Sequence, residues 1–111
     1  GWIERNIFLD RSLEMLKKAY DKNPDSHYIL DSLAWAYFKK EDLSIASQLM
    51  EEVTIRAPGE AISLDHLGDI YFAMGRHREA FYMWTQASDL AKPEDDISDK
   101  IQKKLDKYNA G

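Results

Sequence analysis

Apolar side chains return along this chain at steps of three and four, the period at which a helix brings residues back to one face. From Leu9 to Lys22, Leu9, Leu13, Leu16, Ala19 and Tyr20 fall on one side, with Arg11, Glu14, Lys17, Lys18 and Asp21 on the other. That pattern predicts an amphipathic helix. Asn23-Pro24-Asp25-Ser26 then stops this helix and starts another. Pro disfavours helical conformation in the residue before it, and Asp or Ser oxygens accept the free N–H groups of a helix start. A helix over 28–39 carries Leu30, Leu33, Ala34 and Tyr37, with Asp31, Trp35 and Phe38 as a second stripe beside them. Lys40-Glu41-Asp42 interrupts the pattern, and 43–56 resumes it with Leu43, Ala46, Leu49, Met50 and Val53. Two helices joined by so short a turn pair antiparallel. The same plan follows over 62–74, with Leu64, Leu67, Gly68 and Tyr71 inward, and over 77–91, with Ala80, Trp84 and Ala87 inward. Asp95 or Asp96 is placed to cap a last helix over 95–109 whose one apolar stripe is Ile97, Ile101, Leu105 and Tyr108. Lys100, Lys103, Lys104 and Lys107 are expected mostly outward, as suits the capping helix of a repeat array.

The two helix pairs are copies. Leu33-Ala34-Trp35-Ala36-Tyr37 returns about 34 residues later as Leu67-Gly68-Asp69-Ile70-Tyr71, Ala46 as Ala80, Met50 as Trp84, Val53 as Ala87 and Pro24 as Pro58. Small residues at Ala34, Gly68, Ala46 and Ala80 let the helices of a pair approach, while Tyr37, Tyr71, Met50 and Trp84 fill the wider places. Period, small positions, aromatic positions and terminal proline together resemble the tetratricopeptide repeat. Two full repeats are expected, at 26–59 and 60–93, after a truncated repeat at 1–25 whose second helix spans 9–22. With the capping helix they make a single 1–111 domain. The resemblance implies an all-α fold of antiparallel helix-turn-helix repeats stacked as a short right-handed solenoid. Asp31-Ser32-Leu33-Ala34-Trp35-Ala36-Tyr37, Asp65-His66-Leu67-Gly68-Asp69 and Phe81-Tyr82-Met83-Trp84 are more narrowly similar to the C-terminal block of large tetratricopeptide proteins common in alphaproteobacteria. Many of those are thought to be exported, so bacterial cytoplasm and periplasm both remain open.

Composition narrows the function classes. With 111 residues, an array of this size buries only the seams between neighbouring helices. There is no cysteine, hence no disulfide frame, thiolate metal site or Cys nucleophile. The net charge of −5 argues against nucleic acid, which is bound through clustered Lys and Arg. No apolar run approaches the roughly 20 residues that cross a bilayer.

In families of this type the first helix of each repeat lines the binding groove. The resemblance therefore assigns Tyr28, Asp31, Ser32, Trp35, Phe38 and Lys39, then Ile62, Asp65, His66, Asp69 and Phe72, to an acidic and aromatic lining. Such a lining suits a peptide or helix with basic residues. Some members clamp a terminal carboxylate with Lys, Asn and Arg, but here the matching places carry Asp31, Ser32, Trp35, Ile62, Asp65, His66 and Asp69. That clamp is absent. The competing expectation is a structural segment, in which the aromatics pack on neighbouring helices, the aspartates are merely solvated, and the groove takes no specific ligand.

Metal and cofactor chemistry have little support. Asp65, His66 and Asp69 share helical spacing but lack a partner motif. No nucleophile elbow, phosphate loop or paired carboxylates point to an enzyme. Gly1–Arg5 falls where the end of a repeat's first helix is expected, so the chain reads as part of a longer array. Trp2, Ile3, Ile7, Leu9 and Leu13 then make an open apolar end, expected either to self-associate into a homo-oligomer or to repack as a rearranged N-terminal segment. Glu41 stands where the second repeat has Gly75, at a turn position expected to need a positive φ.

Overall fold

The computed structural model describes residues 1–109, so the last two residues of the expected 1–111 domain lie outside the described residues. Those described form helices α1 (Trp2–Lys22), α2 (His27–Lys39), α3 (Leu43–Arg56), α4 (Ala61–Ala73), α5 (His77–Leu90) and α6 (Ser98–Asn109), with a 3₁₀ turn at Pro93–Asp95. The helices fall into two compact units: Gly1–Arg56, holding α1 to α3, and Ala57 onward, holding α4 to α6.

In the first unit α2 packs against both α1 and α3. Leu13, Leu33 and Ala36 form a buried cluster, against which Leu16, Tyr20, Tyr37 and Leu49 pack. On α3, Ala46, Met50 and Val53 are fully buried. Arg56, at the end of α3, ties the unit together. It donates to the Pro24 carbonyl and the Tyr20 hydroxyl, each at 2.9 Å, and to Glu52 Oε2 at 2.9 Å. Ser26 caps α2 by accepting from the Ile29 N–H at 3.2 Å, and Asp42 caps α3 by accepting from Ile45 at 3.3 Å.

In the second unit α4 packs along α5, and α6 packs on α5. Leu64, Leu67, Ile70, Tyr71, Ala80, Trp84 and Ala87 are buried, joined by Ile97 and Ile101. Gly68 makes a close approach: a Cβ there would lie 2.4 Å from the Trp84 indole.

The turn after α2 and the turn after α4 share one hydrogen-bond pattern. Glu41 N–H donates to Phe38 at 2.9 Å and Asp42 N–H to Tyr37 at 3.0 Å; 34 positions on, Gly75 N–H donates to Phe72 at 3.0 Å and Arg76 N–H to Tyr71 at 2.9 Å. Both turns close this Schellman-type pattern with a left-handed residue, Glu41 at φ 65 and Gly75 at φ 82. A Glu in that conformation costs roughly 1 kcal/mol relative to Gly, partly offset by the greater freedom of Gly in the unfolded chain. Glu41→Gly is therefore expected to leave the melting temperature unchanged or raise it slightly. A lower value in a thermal scan would contradict this account.

Two helix starts differ from the sequence reading. The first helix does not begin at Leu9: α1 runs unbroken from Trp2 over 21 residues. The apolar stripe hid this, because Ile3, Ile7 and Phe8 fall off it. Residues 2–22 nevertheless contain neither Pro nor Gly, so a formed helix has no local reason to stop. Nor does the last helix start at Asp95. Lys92 N–H donates to Asp95 Oδ2 at 2.9 Å, which spends that carboxylate on the 3₁₀ turn, and Asp96 is left-handed at φ 53. The α-helix begins only at Ser98.

Candidate functional site

The residues expected to line a groove divide between α2 and α4. On α2, Tyr28 is 67% exposed, Ser32 and Lys39 are exposed, and Asp31, Trp35 and Phe38 are half-buried. The Trp35 and Phe38 rings lie 4.8 Å apart, and Lys39 Nζ sits 5.3 Å from the Trp35 ring. Helical steps of three and four put Tyr28, Asp31, Ser32, Trp35 and Lys39 along one side of α2. The result is an accessible aromatic strip with one carboxylate and one ammonium.

The α4 set is different. Asp65 is 1% exposed, and Lys104 of α6 reaches it: Lys104 Nζ lies 2.7 Å from Asp65 Oδ1 and 2.7 Å from Asp69 Oδ1. Lys100 Nζ lies 3.1 Å from Asp65 Oδ2, close enough for charge attraction but outside hydrogen-bond geometry. Asp69 Oδ1 also accepts from the Trp84 indole N–H at 3.1 Å. The Phe72 ring centroid lies 4.3 Å from His77 and 5.6 Å from Trp84 in stacked pairs and 4.2 Å from Tyr108 in a tilted one. Asp65, Asp69 and Phe72 therefore serve contacts inside this unit, which corrects their reading as an open acidic lining. Ile62 remains exposed and His66 half-buried.

Lys104 itself corrects a second expectation. Its side chain is only 19% exposed, whereas sequence placed it mostly outward. Burial by itself pulls the ammonium pKa down, but hydrogen bonds to Asp65 and Asp69 outweigh this and hold it above the ordinary lysine value. A signal for the contact was present in the sequence. Asp65 and Asp69 are four apart on an otherwise apolar helix face, where two carboxylates need a cation, and Lys104 borders Ile101 and Leu105 on the stripe that α6 buries.

With both oxygens of Asp65 facing lysines, the Asp65-His66-Asp69 set does not converge on a metal, and among the described residues no group of three His, Cys, Asp or Glu does so. No helix among the described residues is long and apolar enough to cross a membrane. At the start of the chain, Trp2, Ile3 and Ile7 are exposed on α1, while Leu9 is half-buried. Leu9, with Trp2, Arg5, Asn6, Lys39, Lys40 and Glu41, lines a cleft of about 280 Å³. Lys40, one of the lining residues, is held by Asp10 Oδ1 at 2.8 Å and Asn6 Oδ1 at 3.2 Å.

No protein-family model matches the chain. No curated protein matches it either. Among solved structures the chain is similar to the first tetratricopeptide-repeat domain of Spaghetti (RPAP3), determined with the HSP90 peptide SRMEEVD bound. The TM-score is 0.78 at 17% sequence identity, covering 96% of this chain and 84% of that one. At that identity the likeness speaks for architecture. Together with helix pairs that repeat their turns and small-residue contacts at one interval, it shows that this chain has a tetratricopeptide-repeat-like fold.

Proposed function

We propose that this chain is a protein-interaction module whose α2 face takes a peptide or helix with basic residues. The observation that carries the reading is the exposed strip of Tyr28, Ser32 and Lys39 beside Trp35, Phe38 and Asp31. Aromatic rings in an accessible strip supply apolar anchoring area, and a carboxylate among them selects a cationic group. The similarity to a domain solved with a bound peptide supports the general class.

The basic preference rests on Asp31 and on the overall charge of −5. The α4 carboxylates are engaged by Lys104 and Lys100 within their own unit. That internal use favours the second reading, a structural repeat segment without a groove ligand.

Fluorescence anisotropy separates the two readings. A labelled peptide with the sequence of residues 97–108 is a rational probe, since its lysines and tyrosine meet carboxylates and a phenylalanine within this chain. The acidic peptide SRMEEVD serves as the contrast. The module reading expects salt-sensitive binding of the basic probe, weakened about three- to tenfold by Asp31→Asn and more strongly by Tyr28→Ala with Trp35→Ala, and no binding of the acidic peptide. Equal binding of both peptides, or of neither, leaves the structural reading standing.

A further inference from the structure

We propose that the outer stripe of α1 is a docking surface for a second copy of this chain, laid antiparallel about a two-fold axis near Arg11. Opposite the face that sends Leu13, Leu16 and Tyr20 into the core, α1 carries Glu4, Ile7, Phe8, Arg11, Met15 and Lys18 at steps of three and four. Phe8 is 68% and Met15 71% exposed, with Ile7 also exposed. Large apolar side chains clustered on the outer side of a charged helix mark a surface that gains by being covered.

The charges decide what covers it. Glu4, Arg11 and Lys18 follow one another at intervals of seven residues, the step that keeps positions on a helix–helix seam. Reversing a second α1 about Arg11 sets Glu4 opposite Lys18 of the second copy, and the two-fold axis makes that pair twice. In the same register Ile7 and Phe8 face Met15 and Glu14 of the second copy. Arg11 lies on the axis and meets Arg11 of the second copy, one like-charge contact set against the two Glu4–Lys18 pairs, with Glu14 and Phe8 of the second copy beside each guanidinium to offset it. A parallel copy would instead put Glu4 on Glu4 and Lys18 on Lys18, which like-charge repulsion opposes. Glu4 already meets the Gly1 ammonium at 2.7 Å but stays 78% exposed, so it remains reachable.

This surface differs from the open end expected from sequence. Phe8 and Met15 belong to it, while Leu9 and Trp2 line the cleft with Lys39 and Lys40. It shares no residue with the α2 face, so the inference stands or falls independently of the peptide-binding reading.

Sedimentation equilibrium of the whole chain across a concentration series tests it. A monomer–dimer equilibrium is expected, abolished by Phe8→Ser with Met15→Ser while far-UV circular dichroism stays unchanged. Glu4→Lys or Lys18→Glu alone is expected to lower the association constant about tenfold, since the symmetric contact is lost twice. The two together should restore it. Both replacements oppose the helix dipole, so recovery in the double variant cannot come from a better helix and reports the cross-copy pair. A chain that stays monomeric, a dimer indifferent to Phe8 and Met15, or a double variant as weak as the single ones overturns the proposal.

Discussion

Replacing Gly68 with Ala is expected to destabilise the second unit by about 2 kcal/mol, although Ala is the better helix former. The methyl group would arrive 2.4 Å from the Trp84 indole, a contact neither partner can relieve cheaply. Gly68 sits mid-helix on α4, where the backbone is fixed by its own hydrogen bonds. Trp84 is 1% exposed, flanked by the Phe72 and Phe81 rings at 5.6 and 5.8 Å, and held at its indole N–H by Asp69. Overpacking a filled core costs typically 1–3 kcal/mol and occasionally more, while the helix-propensity gain of Ala over Gly is at most about 1 kcal/mol. The steric term wins. Urea unfolding followed by far-UV circular dichroism measures the loss, and a double-mutant cycle identifies its cause. In a Trp84→Leu background the methyl group has room, and Gly68→Ala should become neutral or stabilising. An equal loss in both backgrounds would place the fault in the backbone of α4 and not in the indole contact.

A loss of about 3 kcal/mol is expected for Lys104→Met. Removing the ammonium leaves the carboxylate of Asp65, 1% exposed, with Lys100 at 3.1 Å as its one remaining cation among the described residues. A buried charge stripped of its partner costs more than the pair contributed, because desolvation of the survivor is no longer answered. The paired variant Asp65→Leu with Lys104→Met removes the ammonium together with the more buried of its two carboxylates and should recover part of the loss, since Asp69, 23% exposed, keeps the Trp84 N–H and some solvent. Alkaline pH reaches the same contact from the other side. The native pKa of Lys104 lies above its unfolded value of about 10.4, so its stabilising share is complete below that value and falls away as pH rises through the raised native one. Wild type should therefore lose stability in that window more steeply than the paired variant. Parallel pH profiles for the two proteins would show that Lys104 does not anchor α6.

The repeated helix pair was legible because its causes are local and periodic. Stripes at three and four, Asn23-Pro24 and Pro58 between helices, and small residues recurring at one interval each report backbone or packing constraints within one turn or one helix pair. The left-handed turn at Glu41 was legible for the same reason: Gly75 stands at its counterpart and reveals the φ that both positions adopt. Where the first and last helices begin was less so, since a stripe marks which face is buried and not where hydrogen bonding stops.

The candidate site divides along a similar line. Tyr28, Ser32 and Lys39 are accessible on α2, as a solvent-facing strip on an amphipathic helix should be. Asp65 and Asp69 have the same sequence character as Asp31, yet what they face is set by Lys104, 39 and 35 positions away in the chain. Sequence by itself determined that this is a helical repeat, which residues its helix pairs bury and where its turns fall, since those follow from steps of a few residues. Only the tertiary structure decided that Asp65 and Asp69 are neutralised by a lysine, and which apolar residues of α1 face outward. Those outcomes depend on charges and surfaces that meet through space, and a carboxylate carries no mark in the sequence of the cation that folding brings to it.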